Sequence, residues 1–241
     1  MRVLVFQHVD IEHPGVFRDL WAEHGYALRT VELDAGEPIP ALDGFDLMVV
    51  MGGPMDVWQE SKHPWMLAEK AAIRRWVKDL ERPFLGICLG HQLLADALGG
   101  RVTAMAVPEV GVMEIELTAA GRSDPLLAGM PGRSEALQWH GAEVSTLPEG
   151  ARILATNSAS PAQAMCWGRH AYGFQYHVEI TAATVPEWTS IPEYKASLER
   201  TLGPDAAVDL ERLVAAKLQG FRSTACLLDR NLQNILSIAG K

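Results

Sequence analysis

The chain has 241 residues, 48% of them hydrophobic and 21% charged, an ordinary folded composition and enough length for one large α/β domain or two small ones. A formal net charge of −9 excludes a nucleic-acid binder that works through a basic stripe, and no apolar run reaches the roughly 20 residues of a membrane span. Three widely spaced cysteines (Cys88, Cys166 and Cys226) form neither a disulfide framework nor a Cys-x-x-Cys metal pattern, and the opening Met-Arg-Val-Leu-Val is not a secretory signal, so a reducing, cytoplasmic setting is expected.

In chain order, residues 3–6 form a short apolar strand of the kind buried in parallel sheets. The loop 7–15 gathers His8, Asp10, Glu12 and His13 at a spacing that fits no metal motif, and is expected to be a polar loop at a strand end. A helix over 16–24, a strand over 27–33 and a turn-rich connection over 34–40 complete a βαβ beginning. A second buried strand, 46–51, runs directly into Gly52-Gly53-Pro54. Two glycines there let backbone N–H groups face the crevice where open α/β sheets bind ligands, and one could donate to an oxyanion, although any tight turn could use the same residues. The following helix, 65–80, is expected to bury Leu67, Ala71, Trp76 and Leu80 and to turn Lys70, Arg74, Arg75 and Lys78 away.

The segment Gly86-Ile87-Cys88-Leu89-Gly90-His91-Gln92 follows. Phe84, Leu85 and Ile87 suit a buried strand, and from Leu89 the spacing turns helical through Leu93, Leu94, Ala97 and Leu98. Cys88 therefore stands at a strand-to-helix junction, flanked by Gly86 and Gly90 as the glycines of a nucleophile elbow flank theirs. The helix N-terminus favours thiolate over thiol. A free cysteine beside a strand is also a common core residue, so the assignment needs a partner. His91 could face the crevice and is given no role.

Beyond Gly99-Gly100 the pattern becomes mainly strand, with segments at 112–118, 135–139, 152–157 and 163–167 separated by turns near 121–125, 130–132 and 148–150. These read as an antiparallel extension of the sheet. In Gly173-Phe174-Gln175-Tyr176-His177-Val178-Glu179, residues two apart in an extended chain share a side, so Glu179 can orient His177. That is the base and orienter of a triad with Cys88 as nucleophile, and the order Cys, His, Glu differs from that of α/β-hydrolases. Cys166 and Cys226 are expected to be core. Helices are expected over 184–202, 205–221 and 223–239, with Leu210, Leu213, Val214, Leu218 and Phe221 on a face packed against the sheet.

At this point the sequence resembles the class I (triad) glutamine amidotransferases. Gly86 to Gln92 is similar to their nucleophile motif, Gly52-Gly53-Pro54 to their oxyanion loop, and His177-Val178-Glu179 to their His-Pro-Glu, with Val178 in place of the usual proline. The resemblance runs from the first strand to about Trp188 and is closest to the free-standing, guanylate-synthase-like branch. It implies an α/β, flavodoxin-like fold: a mostly parallel central sheet flanked by helices, with an antiparallel extension. The expected organisation is one domain over 1–241, with a core of about 1–190 and C-terminal helices at about 184–239.

The resemblance implies that Cys88 attacks the side-chain amide carbon of glutamine, that His177 handles the protons and that Glu179 holds His177. Backbone N–H groups around Gly52, Gly53 and Leu89 would meet the oxyanion, Gln92 would contact substrate, and Gly141 within Trp139-His140-Gly141-Ala142 would meet its amino-acid end. No metal and no cofactor is implied. Three functions stay open: a glutaminase subunit passing ammonia to a separately encoded synthetase, a self-sufficient hydrolase of γ-glutamyl compounds such as peptides, and a non-catalytic binding or regulatory module. The intact Cys88, His177 and Glu179 count against the third.

Overall fold

A computed structural model describes residues 1–239. Strands β1 (Arg2–Gln7), β2 (Ala27–Glu32), β3 (Leu47–Val50) and β4 (Phe84–Ile87) pair in parallel, with helices α1 (Val16–Glu23), α2 (Trp65–Arg74) and α3 (Leu89–Ala97) between or after them. The chain then makes a long hairpin, β5 (Arg101–Leu117) and β6 (Arg133–Thr146), with the short helix α4 (Ala119–Arg122) inside the connection. Strands β7 (Ala151–Thr156), β8 (Ala164–Trp167) and β9 (Ala171–Phe174) return it to β4, and α5 (Thr184–Trp188), α6 (Pro192–Leu202) and α7 (Ala206–Ala239) close the fold.

The nine strands form one sheet in the order β2-β1-β3-β4-β9-β8-β7-β5-β6. Its first five places follow the 2-1-3-4-5 order of flavodoxin-like doubly wound sheets. β9 fills the fifth place and pairs in parallel with β4, while the four strands beyond it are joined by antiparallel pairings. The expected mostly parallel sheet with an antiparallel extension is thus present.

Alternation along the strands sets the layers. Val3, Val5, Leu47, Val49, Leu85 and Ile87 point to one side, under α1 and α7; Leu4, Phe6, Met48, Val50 and Phe84 point to the other, under α2 and α3. Each such fully buried side chain contributes about 1.5–3 kcal/mol. α5, α6 and α7 cover the hairpin through a third cluster that includes Trp139, Trp188, Tyr194, Val214 and Phe221.

The strands expected over 112–118 and 135–139 belong to the longer β5 and β6, and the expected helices differ in three ways. α2 buries Met66, Glu69 and Ile73, whereas Leu67 is 60% exposed and Ala71 also faces solvent. The helix is rotated from the expected face because Glu69 turns inward to meet His8, and a wider π-type turn over Arg75–Asp79, closed by Leu80 N–H to Arg75 carbonyl at 3.0 Å, brings Trp76 and Val77 inside. The single helix expected over 184–202 is two, since the chain turns after Trp188 and Pro192 starts α6 at a position where no amide donor is needed. The helices expected over 205–221 and 223–239 are one: the hydroxyls of Ser223 and Thr224 donate to the carbonyls of Gln219 and Gly220 one turn back. Of its expected buried face, Leu213 is 42% exposed. Among the described residues no helix is long and apolar enough to cross a membrane.

Candidate active site

The carboxyl ends of β1, β3, β4 and β9 deliver the candidate residues to one edge of the sheet, the crevice side of doubly wound folds. β4 runs straight into Cys88, whose φ of 51° and ψ of −104° lie where side-chain-bearing residues rarely go. Such strain costs about 1–3 kcal/mol and persists only when neighbours enforce it. Here Cys88 N–H donates to Phe174 carbonyl at 2.7 Å, and Cys88 carbonyl accepts from His91 and Gln92 N–H at 3.0 and 3.2 Å. The flanking glycines are obligatory by contact: a Cβ at Gly86 would lie 2.5 Å from Gly90 carbonyl oxygen, and one at Gly90 would lie 2.0 Å from that of Val50. Cys88 caps α3, so the helix dipole bears on its sulfur.

Sγ of Cys88 lies 3.7 Å from Gln175 Nε2 and 4.0 Å from Trp139 carbonyl. Beyond Gln175 the chain bridges to β6 through His177 and Leu137, which exchange backbone hydrogen bonds at 2.9 and 3.2 Å. That pairing fixes His177. Its Nδ1 is 2.7 Å from Glu179 Oε1, and Glu179 Oε2 accepts from Val178 N–H at 3.0 Å. A proline at 178 would have no N–H to give. Trp188 packs edge-on against the His177 ring at 4.7 Å. Burial alone would lower the His177 pKa, but the Glu179 carboxylate and the sulfur of Cys88 outweigh it and hold it well above 6.5. Nε2 of His177 has no hydrogen-bond partner among the described residues.

A cavity of about 450 Å³ opens over Cys88, lined by Gly53, Gln92, Gly141, Tyr194 and Arg200 among others. The N–H groups of Gly53 and Leu89 have no acceptor among the described residues, as an oxyanion site requires. Gly52 stands behind Gly53, its carbonyl turned to His8 at 2.8 Å. Gln92 donates to Ala142 carbonyl and Gln175 Oε1, both at 3.1 Å, tying the elbow helix to the segment that carries Gly141. The sequence candidates Cys88, His177, Glu179, Gly52, Gly53, Leu89, Gln92 and Gly141 therefore converge. His91 does not line the cavity: it is buried beneath Gly173, and burial pushes its pKa down to about 3.

Several residues at the site carried no sequence signal strong enough to single them out. Gln175 shares the side of His177 by the same two-residue alternation and could have been found by it. His8 and Glu12 of the loop 7–15, expected to be merely polar, are buried, and their roles, like those of Tyr194, Glu69, His140 and Glu109, could not be read because their partners are distant in sequence. The Glu12 carboxylate accepts from Tyr194 hydroxyl and backs Gly52, where a Cβ would lie 2.6 Å from Glu12 Oε2. Burial raises the pKa of Glu12 against the opposing charge of His177. His140 places Nδ1 2.9 Å from Ala142 carbonyl and Nε2 3.1 Å from Glu109. Cys166 is core as expected, its thiol pushed up by burial to about 11. Among the described residues no group of three or more His, Cys, Asp or Glu is arranged to hold a metal ion.

Similarity to known proteins converges on one family. The family model described as "Glutamine amidotransferase class-I" matches residues 18–187. The glutamine amidotransferase-like protein YfeJ of Salmonella typhimurium is 35% identical over 190 residues, covering 77% of this chain and 78% of that protein. A glutamine-hydrolysing GMP synthase subunit from Sulfurisphaera tokodaii is 34% identical over 154 residues, 64% of this chain and 77% of the relative. The crystal structure of a glutamine amidotransferase from Thermotoga maritima superposes with a TM-score of 0.86 at 29% identity, covering 98% of both chains.

Proposed function

Because the chain belongs to the class I glutamine amidotransferases, enzymes that hydrolyse glutamine, we propose that it cleaves the γ-amide of glutamine through a γ-glutamyl thioester on Cys88. The observation that carries this is the meeting of a cysteine that lines the cavity, held at φ 51° on a helix N-terminus, with a buried His177–Glu179 pair whose second ring nitrogen is unspent.

A free cysteine has a pKa of about 8.5 and is only a few per cent thiolate at neutral pH, so an imidazolium partner and a helix terminus are what make it reactive. The Cys88 thiolate adds to the γ-carbonyl carbon, and the carbonyl oxygen takes up the electron pair facing the N–H groups of Gly53 and Leu89. Removing one such donor typically costs about 10²–10³ in rate. As the tetrahedral adduct collapses, the C–N bond breaks and the nitrogen leaves as ammonia with a proton from His177. Water then gives a proton to His177 and adds to the thioester carbonyl; the C–S bond breaks, releasing glutamate and restoring the thiolate–imidazolium pair. Glu179 keeps Nδ1 of His177 protonated and Nε2 aimed at the sulfur. Gln92 and Gly141 hold the substrate, and the chain works as one unit in the cytoplasm.

Where the nitrogen goes has two answers. A separately encoded synthetase that accepts ammonia is supported by the likeness to one subunit of a glutamine-hydrolysing GMP synthase. A γ-glutamyl peptide hydrolase is supported by the size of the cavity, which falls in the range of about 300–1,000 Å³ that takes drug-sized ligands, and by its reach to Glu193, Ser197 and Arg200 of α6. Steady-state turnover of the purified chain on glutamine and on γ-glutamyl peptides, with Cys88→Ala as blank, decides between them. Efficient Cys88-dependent peptide cleavage identifies the self-sufficient hydrolase. Slow glutamine turnover with no peptide cleavage identifies a subunit that needs its partner. Turnover unchanged in Cys88→Ala would refute the thioester.

A further inference from the structure

The turn at Gly52-Gly53 carries the proposed oxyanion donor, yet two adjacent glycines impose little steric preference on the peptide between them. That peptide is planar and trans, so its C=O and N–H point in opposite directions and fixing one fixes the other. We propose that His8, itself held by Glu69, is the positioning residue that aims the Gly53 N–H into the cavity by gripping the carbonyl of Gly52.

Nδ1 of His8 is 2.8 Å from Gly52 carbonyl oxygen, and Nε2 is 2.8 Å from Glu69 Oε1. A carbonyl can only accept, so Nδ1 carries a proton and donates it. With its other nitrogen on a carboxylate, the ring has no capacity left for any further partner. Trp65 stacks on it at 5.4 Å with the planes 18° apart, which fixes the ring orientation. His8 and Glu69 are both wholly buried, and Glu69 Oε2 has no hydrogen-bond partner among the described residues, so the bond from Oε1 to His8 is what offsets the desolvation of the carboxylate. On the far side of the same peptide, Gly53 lines the cavity with Cys88, and its N–H has no acceptor among the described residues. The turn is packed tightly enough to feel the grip: a Cβ at Gly53 would lie 3.0 Å from His8 Cβ and 3.1 Å from Leu89 Cδ2. His8 leaves the end of β1 and Gly52 the end of β3, so the contact spans the point where the strand order reverses.

The proposal rests on the preceding mechanism only in taking Gly53 N–H as an oxyanion donor, and it is tested without glutamine. Two probes react at Cys88, with Cys88→Ala as blank. With p-nitrophenyl acetate the thiolate adds to the ester carbonyl, charge gathers on the carbonyl oxygen, the C–O bond breaks and p-nitrophenolate leaves; water then hydrolyses the acetyl thioester. With iodoacetamide the thiolate displaces iodide from a saturated carbon and no oxyanion forms. His8→Ala is expected to slow acylation at least tenfold while alkylation stays within twofold. His8→Asn, whose amide nitrogen sits as many bonds from Cα as Nδ1, should restore most of the acylation rate; His8→Gln, whose amide nitrogen stands where Nε2 was, should not. If His8→Ala does not fold, the contrast between His8→Asn and His8→Gln carries the test. Acylation within twofold of wild type in His8→Ala, a parallel fall in both reactions, or His8→Asn no better than His8→Gln would each overturn the role of His8. So would a wild-type protein that is alkylated at Cys88 but not acylated. A wild type that is acylated yet inert toward glutamine would defeat the glutamine reading instead, and the acylation ratios of the variants would still support or overturn the role of His8.

Discussion

His177–Glu179 reaches the sulfur of Cys88 and His8–Glu69 reaches the turn at Gly52-Gly53, and the two pairs nearly match by local measures. In each, a buried imidazole meets a buried carboxylate, at 2.7 Å in the first and 2.8 Å in the second. What separates them is the other ring nitrogen. That of His177 has no hydrogen-bond partner among the described residues and turns toward sulfur, whereas that of His8 is spent on the carbonyl of Gly52. A buried histidine–carboxylate pair is therefore no signature of chemistry in itself. The nitrogen left over decides: unspent it can move a proton, spent it can only hold a backbone in place.

The comparison breaks most visibly at the sulfur. Cys88→Ala is expected to abolish thiol-dependent turnover with the fold unchanged by circular dichroism; near-normal glutamine hydrolysis would leave His177 with nothing to serve. His177→Ala comes next, with a loss of about 10²–10⁴-fold in kcat.

Glu179→Gln should cost less, and its diagnostic is the pH profile. His177 must remain protonated to release ammonia, and its pKa lies well above 6.5, so the activity of the wild type holds as pH rises through 6.5 and is lost only on passing that raised value. Without the Glu179 charge the alkaline limb should move to lower pH. A limb that stays in place would mean that Glu179 does not set the protonation of His177.

Val178→Pro should be the mildest. It removes the N–H donated to Glu179, a bond to a charged acceptor worth about 1.5–3 kcal/mol, and regains about 0.4–1 kcal/mol by stiffening the unfolded chain. A small fall in Tm is expected. An unchanged or higher Tm would show that the second oxygen of Glu179 needs no partner.

The asymmetry between the pairs also explains what could be read from sequence. His177 and Glu179 are two residues apart and Cys88 carries its glycines beside it, so the reactive half of the site lies in short motifs. His8 and Glu69 are 61 residues apart and meet only because β1 and α2 are packed on one sheet. The inward turn of Glu69, which sets the buried face of α2, has no local signal for the same reason. Alternating strand and helix signals make a mostly parallel sheet legible through β4, but not the order of its strands, and nothing local shows that β9 returns to pair with β4. The break at Pro192 was available as a proline; the continuity of α7 through Ser223 and Thr224 was not, because the back-bonds that keep those hydroxyls within the helix belong to the folded turn.

α7 runs unbroken for 34 residues, about 51 Å at 1.5 Å per residue. Near one end Leu210 and Val214 pack with Val110, Leu137 and Trp139 of the hairpin that carries Gly141; toward the other, Leu228 and Leu232 join the layer under β1 and β4, and Asp229 accepts from Trp21 Nε1 of α1 at 3.0 Å. The helix works as a tie-beam. Detaching the antiparallel hairpin would mean either stripping one flank of this rod or fraying it from the middle, so the substrate-facing hairpin and the nucleophile-bearing strands are bound into one cooperative unit and are expected to melt together.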